Sequence, residues 1–252
     1  LVGFREADKP YVADLRRCEV ISPAIGHKLE ALAALLQGLS VRDKIPQIEV
    51  AQADNRLALV LRNLAPVSDD DAKALQAWAQ TNDLDFYLQP GNESTIVPLT
   101  AGAPALYYGL ESITEQALTI EFLPADFVQI NADINREMLT QTVQWLDVKP
   151  SDRVLELFAG LGNFTLPLAQ RAREVVAVEG EAGLVQRAEA NAHRNGLQNI
   201  QHYTANLFEP SADAPWLAGD YDVCLLDPPR SGAREVLPFI ASKKPRTIVY
   251  VS

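Results

Sequence analysis

The sequence predicts an α/β protein in which a parallel sheet with flanking helices is preceded by a smaller α+β domain. Three observations carry this expectation. From about residue 131 onward, short apolar runs alternate with amphipathic stretches, the rhythm of βαβ units and a parallel sheet. The first four apolar runs of that half end in glycine, acidic or amide residues. Before residue 131 the rhythm differs, with hairpin signals standing beside helical stretches.

Taken in order, residues 24–38 (AIGHKLEALAALLQG) have helical spacing and close on Gly38. Residues 47–52 and 57–63 are β-like runs around ADNR and read as a hairpin. Residues 68–81 open with Ser68 and three aspartates, whose oxygens suit the unpaired N–H groups and positive end of a helix start. DFYLQP at 85–90 reads as a short strand, and further strands are expected near 106–108 and 117–122. The second half opens with a helix over 134–148, with Ile134, Met138, Val143 and Leu146 toward one side. Then come a strand at 153–160 (RVLELFAG), a helix at 163–172 with Pro167 in its first turn, and a strand at 174–180. A helix at 182–196, closed by Asn195-Gly196, leads to a strand at 199–206. A strand at 222–230, a helix at 234–242 and a strand at 246–252 (RTIVYVS) complete the alternation.

Composition narrows the function classes. Hydrophobic residues are 48% and charged residues 22%, ordinary values for a globular protein. No apolar run approaches the ~18 residues of a membrane span, so no membrane partner is expected. Residues 1–20 carry charges throughout and lack the apolar centre of a signal peptide, so a cytoplasmic location is expected. The formal net charge of −11 argues against a nucleic-acid-binding face over the chain as a whole. Arg5, Lys9, Arg16 and Arg17 form a local basic cluster that reads as solvated surface. Two cysteines, Cys18 and Cys224, do not suggest a disulfide framework, and Cys224, inside an apolar strand, reads as core. The chain begins with Leu1 and ends in a buried-strand pattern, so both ends are expected to be cut and the last strands of the sheet to be missing.

The strand ends carry the chemistry. FAGLGNF (158–164), Glu179-Gly180, Ala205-Asn206 and Asp227-Pro-Pro-Arg230 would surround one crevice at the carboxyl edge of the sheet, where ligands of open α/β sheets bind. The glycines permit a sharp turn and close approach of a ligand, although Gly160-Leu161-Gly162 lacks the third glycine of the dinucleotide fingerprint. Glu179 stands where an acid would accept hydrogen bonds from a ribose diol. NAD and S-adenosylmethionine both fit the first two strand ends. The rigid, donor-poor turn at 227–230 could hold a flat base between Asp227 and Arg230, which disfavours NAD. Three competing readings stay open here: a methyltransferase for exocyclic amines, from which Arg230 in place of an aromatic departs; an NAD-dependent oxidoreductase; and a binding fragment without catalysis.

In combination, VLELFAGLGNFTLPLA, VEG, AN, LLDPPRSGA and IVYVS resemble the S-adenosylmethionine-dependent RNA uracil-5-methyltransferases, and FLPADFVQINADIN at 122–135 resembles the segment preceding their catalytic core. VGFREADKPYVADLRRCEV resembles the bacterial 23S ribosomal RNA enzymes of the RumA type within that family, with the tRNA enzymes as the alternative. The resemblance implies a Rossmann-like class I methyltransferase fold over 126–252, a central α+β domain over 23–125, and a remnant of an iron–sulfur region over 1–22. It implies that Gln129, Phe158, Asn163, Glu179, Asn206 and Asp227 line the S-adenosylmethionine site, and that Phe127 and Arg230 lie close to the target uracil. It implies that Cys18 is one of four ligands of a 4Fe–4S cluster, the other three preceding Leu1. The nucleophilic cysteine is expected just after Ser252 and the glutamate base further on, so no catalytic residue of that pair is expected within this chain. The partner implied is 23S ribosomal RNA, acted on by a monomer.

Overall fold

The structure, a computed structural model, describes residues 2–5, 11–110 and 116–252; Lys9 of the basic cluster lies outside them. The chain divides into two compact units, residues 1–106 with 123–125, and residues 107–122 with 126–252. Residues 107–122, expected from the sequence in the smaller domain, thus belong to the second unit.

The first unit contains α1 (Pro23–Gly26), α2 (Leu29–Gly38), β1 (Gln47–Gln52), β2 (Leu57–Arg62), α3 (Asp69–Asn82), β3 (Leu84–Gln89) and β4 (Val97–Pro98). Its sheet runs in the order β1-β2-β3-β4, with β2 and β3 parallel and the outer pairs antiparallel. The expected hairpin is β1–β2, closed by the Ala53 N–H donating to the Arg56 carbonyl (2.9 Å). Ser68 caps α3 by accepting the Asp71 N–H (3.2 Å), and Asp71 accepts from the Ser40 N–H (2.9 Å). The single helix expected over 24–38 is two, because the Gly26 carbonyl turns to accept the Cys18 N–H (2.9 Å) and the helix restarts at Leu29. Leu32, Leu59, Leu61, Leu75 and Phe86 fill the core between the helices and the sheet.

The second unit contains β5 (Leu106–Gly109, from residue 107), β6 (Thr119–Phe122), α4 (Ala132–Leu146), β7 (Arg153–Leu157), α5 (Thr165–Ala169), β8 (Glu174–Glu179), α6 (Ala182–Arg194), β9 (Ile200–Thr204), β10 (Val223–Leu226), α7 (Leu237–Lys243) and β11 (Thr247–Tyr250). The main sheet has the order β11-β10-β7-β8-β9, and every pair in it is parallel. The chain leaves β7 in one direction and returns through β10 to the other, so the two halves of the sheet part between β7 and β10. That is where open parallel sheets bind ligands. Leu155, Leu157, Val176, Val178, Cys224 and Leu226 form the middle of its core. Pro167 sits in the first turn of α5, as expected. β10 stops at Leu226, short of the expected 230, since Pro228 and Pro229 have no N–H to give to a neighbouring strand.

α4 differs in phase from its expectation. Its buried face is Asn135, Leu139, Val143 and Leu146, while Ile134 is 57% exposed. The inward position one turn into the helix is an amide, so ranking by apolarity chose the wrong neighbour.

The hairpin β5–β6 is tied to α6 by side-chain amides. Asn191 accepts the Glu121 N–H (2.9 Å) and donates to the Glu121 carbonyl (3.0 Å). Asn195, one turn on, accepts the Thr119 N–H (2.9 Å) and donates to the Thr119 carbonyl (2.7 Å). The two amides at i and i+4 thus satisfy the edge of β6 as a paired strand would. Asn191 is 1% exposed. Asn191→Ala should therefore lower stability by about 2–4 kcal/mol, since it strands buried N–H and C=O groups at ~1–3 kcal/mol each. Urea denaturation checks this, and Asn195→Ala, at a half-exposed site, should cost less.

Candidate functional site

The loops after β7, β8, β9 and β10 surround a cavity of about 660 Å³, within the range of small-molecule sites. Phe127, Gln129, Phe158, Asn163, Glu179, Asn206, Asp227 and Arg230, all singled out from the sequence, line it. Sequence reasoning placed Leu161 and Phe164 at the crevice within 158–164 and missed Tyr108, Leu184 and Phe208, which also line it.

The floor is the turn after β7. Its backbone is left-handed at Phe158 (φ 63°), Gly160 (φ 55°) and Gly162 (φ 97°). The conformation at Gly162 suits glycine alone, and nothing lies within 4 Å of where a side chain on Gly160 would begin, which leaves its backbone open to a ligand. Glu179 fixes this turn. Its Oε2 accepts the Gly160 N–H (3.0 Å), and its Oε1 accepts the N–H groups of Gly180 (2.6 Å) and Glu181 (3.1 Å). A carboxylate has about four acceptor positions, so roughly one remains, on Oε2, for a ligand hydroxyl.

The two asparagines are structural as well as lining residues. Asn163 Oδ1 accepts from the Tyr108 hydroxyl (3.1 Å) and from Asn135 Nδ2 (3.0 Å), and its Nδ2 donates to Asn135 Oδ1 (2.9 Å). This reciprocal amide pair joins the start of α4 to the glycine turn. The readable signal was an amide, Asn135, in helical phase with Leu139, Val143 and Leu146. Asn206 Oδ1 accepts the Phe208 N–H (3.0 Å), closing a tight turn that carries the Phe208 ring.

Residues 127–129 and 227–230 also line the cavity. The Asp126 carboxylate, 6% exposed, pairs with Arg187 on α6 (2.5 Å) and anchors the segment bearing Phe127 and Gln129. Phe127 is 78% exposed at the rim, and Arg230 is exposed beside it in the lining. Burial pushes the Asp227 carboxyl above the ordinary aspartate range.

Behind the turn, Glu156 on β7 is 1% exposed, and its Oε2 has no hydrogen-bond partner among the described residues. Burial, reinforced by the nearby Asp227 and Glu179 charges, raises its pKa from 4.5 to about 8. The folded chain therefore keeps a proton that the unfolded chain has lost. The stability this gives is full below about 4.5 and is lost as the pH rises through about 8. Glu156→Gln should flatten the fall in unfolding free energy between pH 5 and 8, a slope of up to ~1.4 kcal/mol per pH unit, and urea denaturation across that window checks it.

The cysteines lie elsewhere. Cys224 is fully buried in β10 and burial pushes its thiol up to about 12, so it is core, as expected. Cys18 is buried in the first unit, its Sγ accepting the Val20 N–H (3.4 Å). Among the described residues no group of three or more His, Cys, Asp or Glu side chains is placed to hold a metal. The residues described do not by themselves fit a four-cysteine cluster.

Comparison with known proteins adds the following. The sequence model of the family described as tRNA (Uracil-5-)-methyltransferase matches residues 7–209. The 23S rRNA (uracil(1939)-C(5))-methyltransferase RlmD of Alkalilimnicola ehrlichii is 50% identical over the whole of this chain and 56% of its own length. The protein of the same name from Xanthomonas axonopodis pv. citri is 47% identical over the same shares. The chain thus spans about half the length of the curated relatives it matches. Among solved structures, a Pyrococcus abyssi tRNA (uracil-54, C5)-methyltransferase in complex with S-adenosyl-L-homocysteine superposes with a TM-score of 0.68 at 17% identity, over 98% of this chain and 62% of that one, a likeness of fold.

Proposed function

The chain belongs to the tRNA (uracil-5-)-methyltransferase family, and from that premise we propose that it carries the cofactor- and base-binding part of an S-adenosylmethionine-dependent enzyme that methylates C5 of a uridine in 23S ribosomal RNA. The observation that carries the reading is the convergence of four strand ends on one cavity large enough for a nucleoside cofactor, with Phe127 and Arg230 also in its lining.

The residues fit the cofactor. Gly160 leaves room for close approach, Glu179 Oε2 retains an acceptor position for a ribose hydroxyl, and Gln129, Phe158, Asn163, Asn206 and Asp227 line the remainder. When bound, S-adenosylmethionine would supply an electrophilic methyl group on its sulfonium. The chain's own residues bind, orient and shield. Phe127 and Arg230 offer the rim an aromatic face and a planar donor fork, suited to a base taken out of its stack and to its phosphates. Pro228 and Pro229 stiffen the shelf between the two ligands. Activation of C5 needs a thiolate at C6. Cys224, buried with its thiol raised to about 12, does not fill that role, which the family resemblance assigns to a cysteine beyond Ser252.

The 23S assignment is favoured over tRNA by the names of the relatives at 47–50% identity. A monomer and a 4Fe–4S ligand at Cys18 belong to the same reading and rest on the resemblance. Iron retained after Cys18→Ser in the anaerobically purified natural protein would remove Cys18 from the ligand set, and no iron in the unsubstituted protein would remove the cluster from the reading.

Two measurements test the function. Glu179→Ala should weaken S-adenosylhomocysteine binding by about 1–3 kcal/mol, read by calorimetry, the loss of a charge-assisted hydrogen bond and of the turn it holds. The natural protein carrying this chain should release tritium from 5-tritiated uridine in a 23S transcript and leave a tRNA transcript untouched. Release from tRNA alone would overturn the 23S substrate, and no release from either would overturn the reaction.

A further inference from the structure

The cavity has an aromatic corner in which Phe158, already implied by the family resemblance, is joined by Phe208, which the resemblance did not supply. Phe158 and Phe208 meet with ring centroids 5.9 Å apart and planes at 58°. Both line the cavity. Neither ring is there by default. Phe158 occupies a left-handed backbone conformation (φ 63°) that disfavours a bulky residue. Phe208 keeps 43% of its surface exposed beside Leu207, which is 2% exposed in the core. The turn that presents Phe208 is built: the Asn206 amide accepts its N–H at 3.0 Å, and Leu207 plugs the core beneath. Two rings at an open tilt, with one face still exposed, leave a slot for a third flat group, and aromatic faces stack on bases whatever their sequence.

Strand order says which flat group. Phe208 follows β9, the neighbour of β8, whose end bears Glu179. Arg230 follows β10, on the other side of β7. Phe208 therefore sits on the side of the ribose-binding acid, three strands from the β10 end that carries Arg230.

We propose that Phe208, with Phe158, forms an aromatic wall that stacks on the purine of the nucleoside cofactor, making Phe208 a binding residue of this site. The proposal rests on the functional reading above and deepens it. On binding, the purine covers the exposed ring, and the turn closed by Asn206 keeps the wall in place beforehand.

Calorimetry of this chain with S-adenosylhomocysteine, using Phe208→Leu, Phe208→Tyr and Glu179→Ala, tests it. Leucine keeps apolar bulk without a ring; tyrosine keeps the ring. Phe208→Leu should weaken binding on the order of ten-fold or more, and Phe208→Tyr should bind within about two-fold of the original chain. If Phe208→Leu binds like the original while Glu179→Ala is weakened, the wall is wrong and the functional reading stands. If leucine and tyrosine weaken binding equally, the residue shapes the turn and stacks on nothing, which also overturns the proposal. Retained cofactor affinity with lost affinity for a uridine-containing RNA in Phe208→Leu would assign the ring to the substrate side and overturn it. An original chain that does not bind S-adenosylhomocysteine removes the functional reading, and the wall with it.

Discussion

One carboxylate, accepting three backbone N–H groups, sets the geometry of the pocket. Glu179 ends β8 and reaches Gly160 in the turn after β7, as well as Gly180 and Glu181 in its own turn. Hydrogen bonds to an ionised acceptor are about twice as strong as neutral ones, so two loops that could drift independently share one rigid anchor. The strained backbone at Phe158 depends on this. It is flanked by the Ala159 N–H donating to the Val178 carbonyl (3.1 Å) and by the Gly162 N–H donating to the Ala159 carbonyl (3.0 Å). A left-handed non-glycine residue, at ~1–3 kcal/mol, persists only where its surroundings determine it this closely.

The two edges of the parallel sheet are held differently. At the amino edge, ion pairs tie the strands together: Arg153 of β7 pairs with Glu174 of the neighbouring β8 (2.6 Å) and lies over the Tyr221 ring (4.5 Å), while Arg246, just before β11, pairs across β10 with Asp152, just before β7 (2.6 Å). The Arg246 guanidinium holds the Asp152 carboxyl below its ordinary range. At the carboxyl edge the Glu179 carboxylate and the Asp126–Arg187 pair are joined by neutral amides, Asn135 with Asn163 and Asn206 with its own turn. Amides hold a loop while leaving the local charge to a few carboxylates and one exposed arginine.

Much of this was legible in the sequence. The alternation from residue 131 onward gave the strands of the sheet, because buried parallel strands are continuous apolar runs that need no partner to be recognised. The glycine turn and the strand ends pointed to six of the eight lining residues, Phe158, Asn163, Glu179, Asn206, Asp227 and Arg230, while Phe127 and Gln129 came from the family resemblance. What escaped has a common cause. Asn135, Asn191 and Asn195 are buried or half-buried amides whose partners are distant in sequence, and a polar residue at a helical position reads as exposed until its partner is known. Phe208 lies in a turn with no periodicity to mark its direction. The phase of α4 failed at Ile134 for the same reason that Asn135 was passed over. The extent of β10 was overestimated because the prolines that end it were read as a feature of the site and not also as the end of the ladder.

The left-handed phenylalanine at 158 has a consequence for any attempt to improve this fold. Measured on backbone comfort alone, position 158 calls for glycine, and a redesign ranked by stability would put one there. The relaxed chain would hold its turn more easily and lose half of the aromatic corner. Position 158 is therefore a place where the best-folding variant and the best-binding variant diverge, so a library selected for heat resistance and a library selected for ligand capture should drift apart at this one residue.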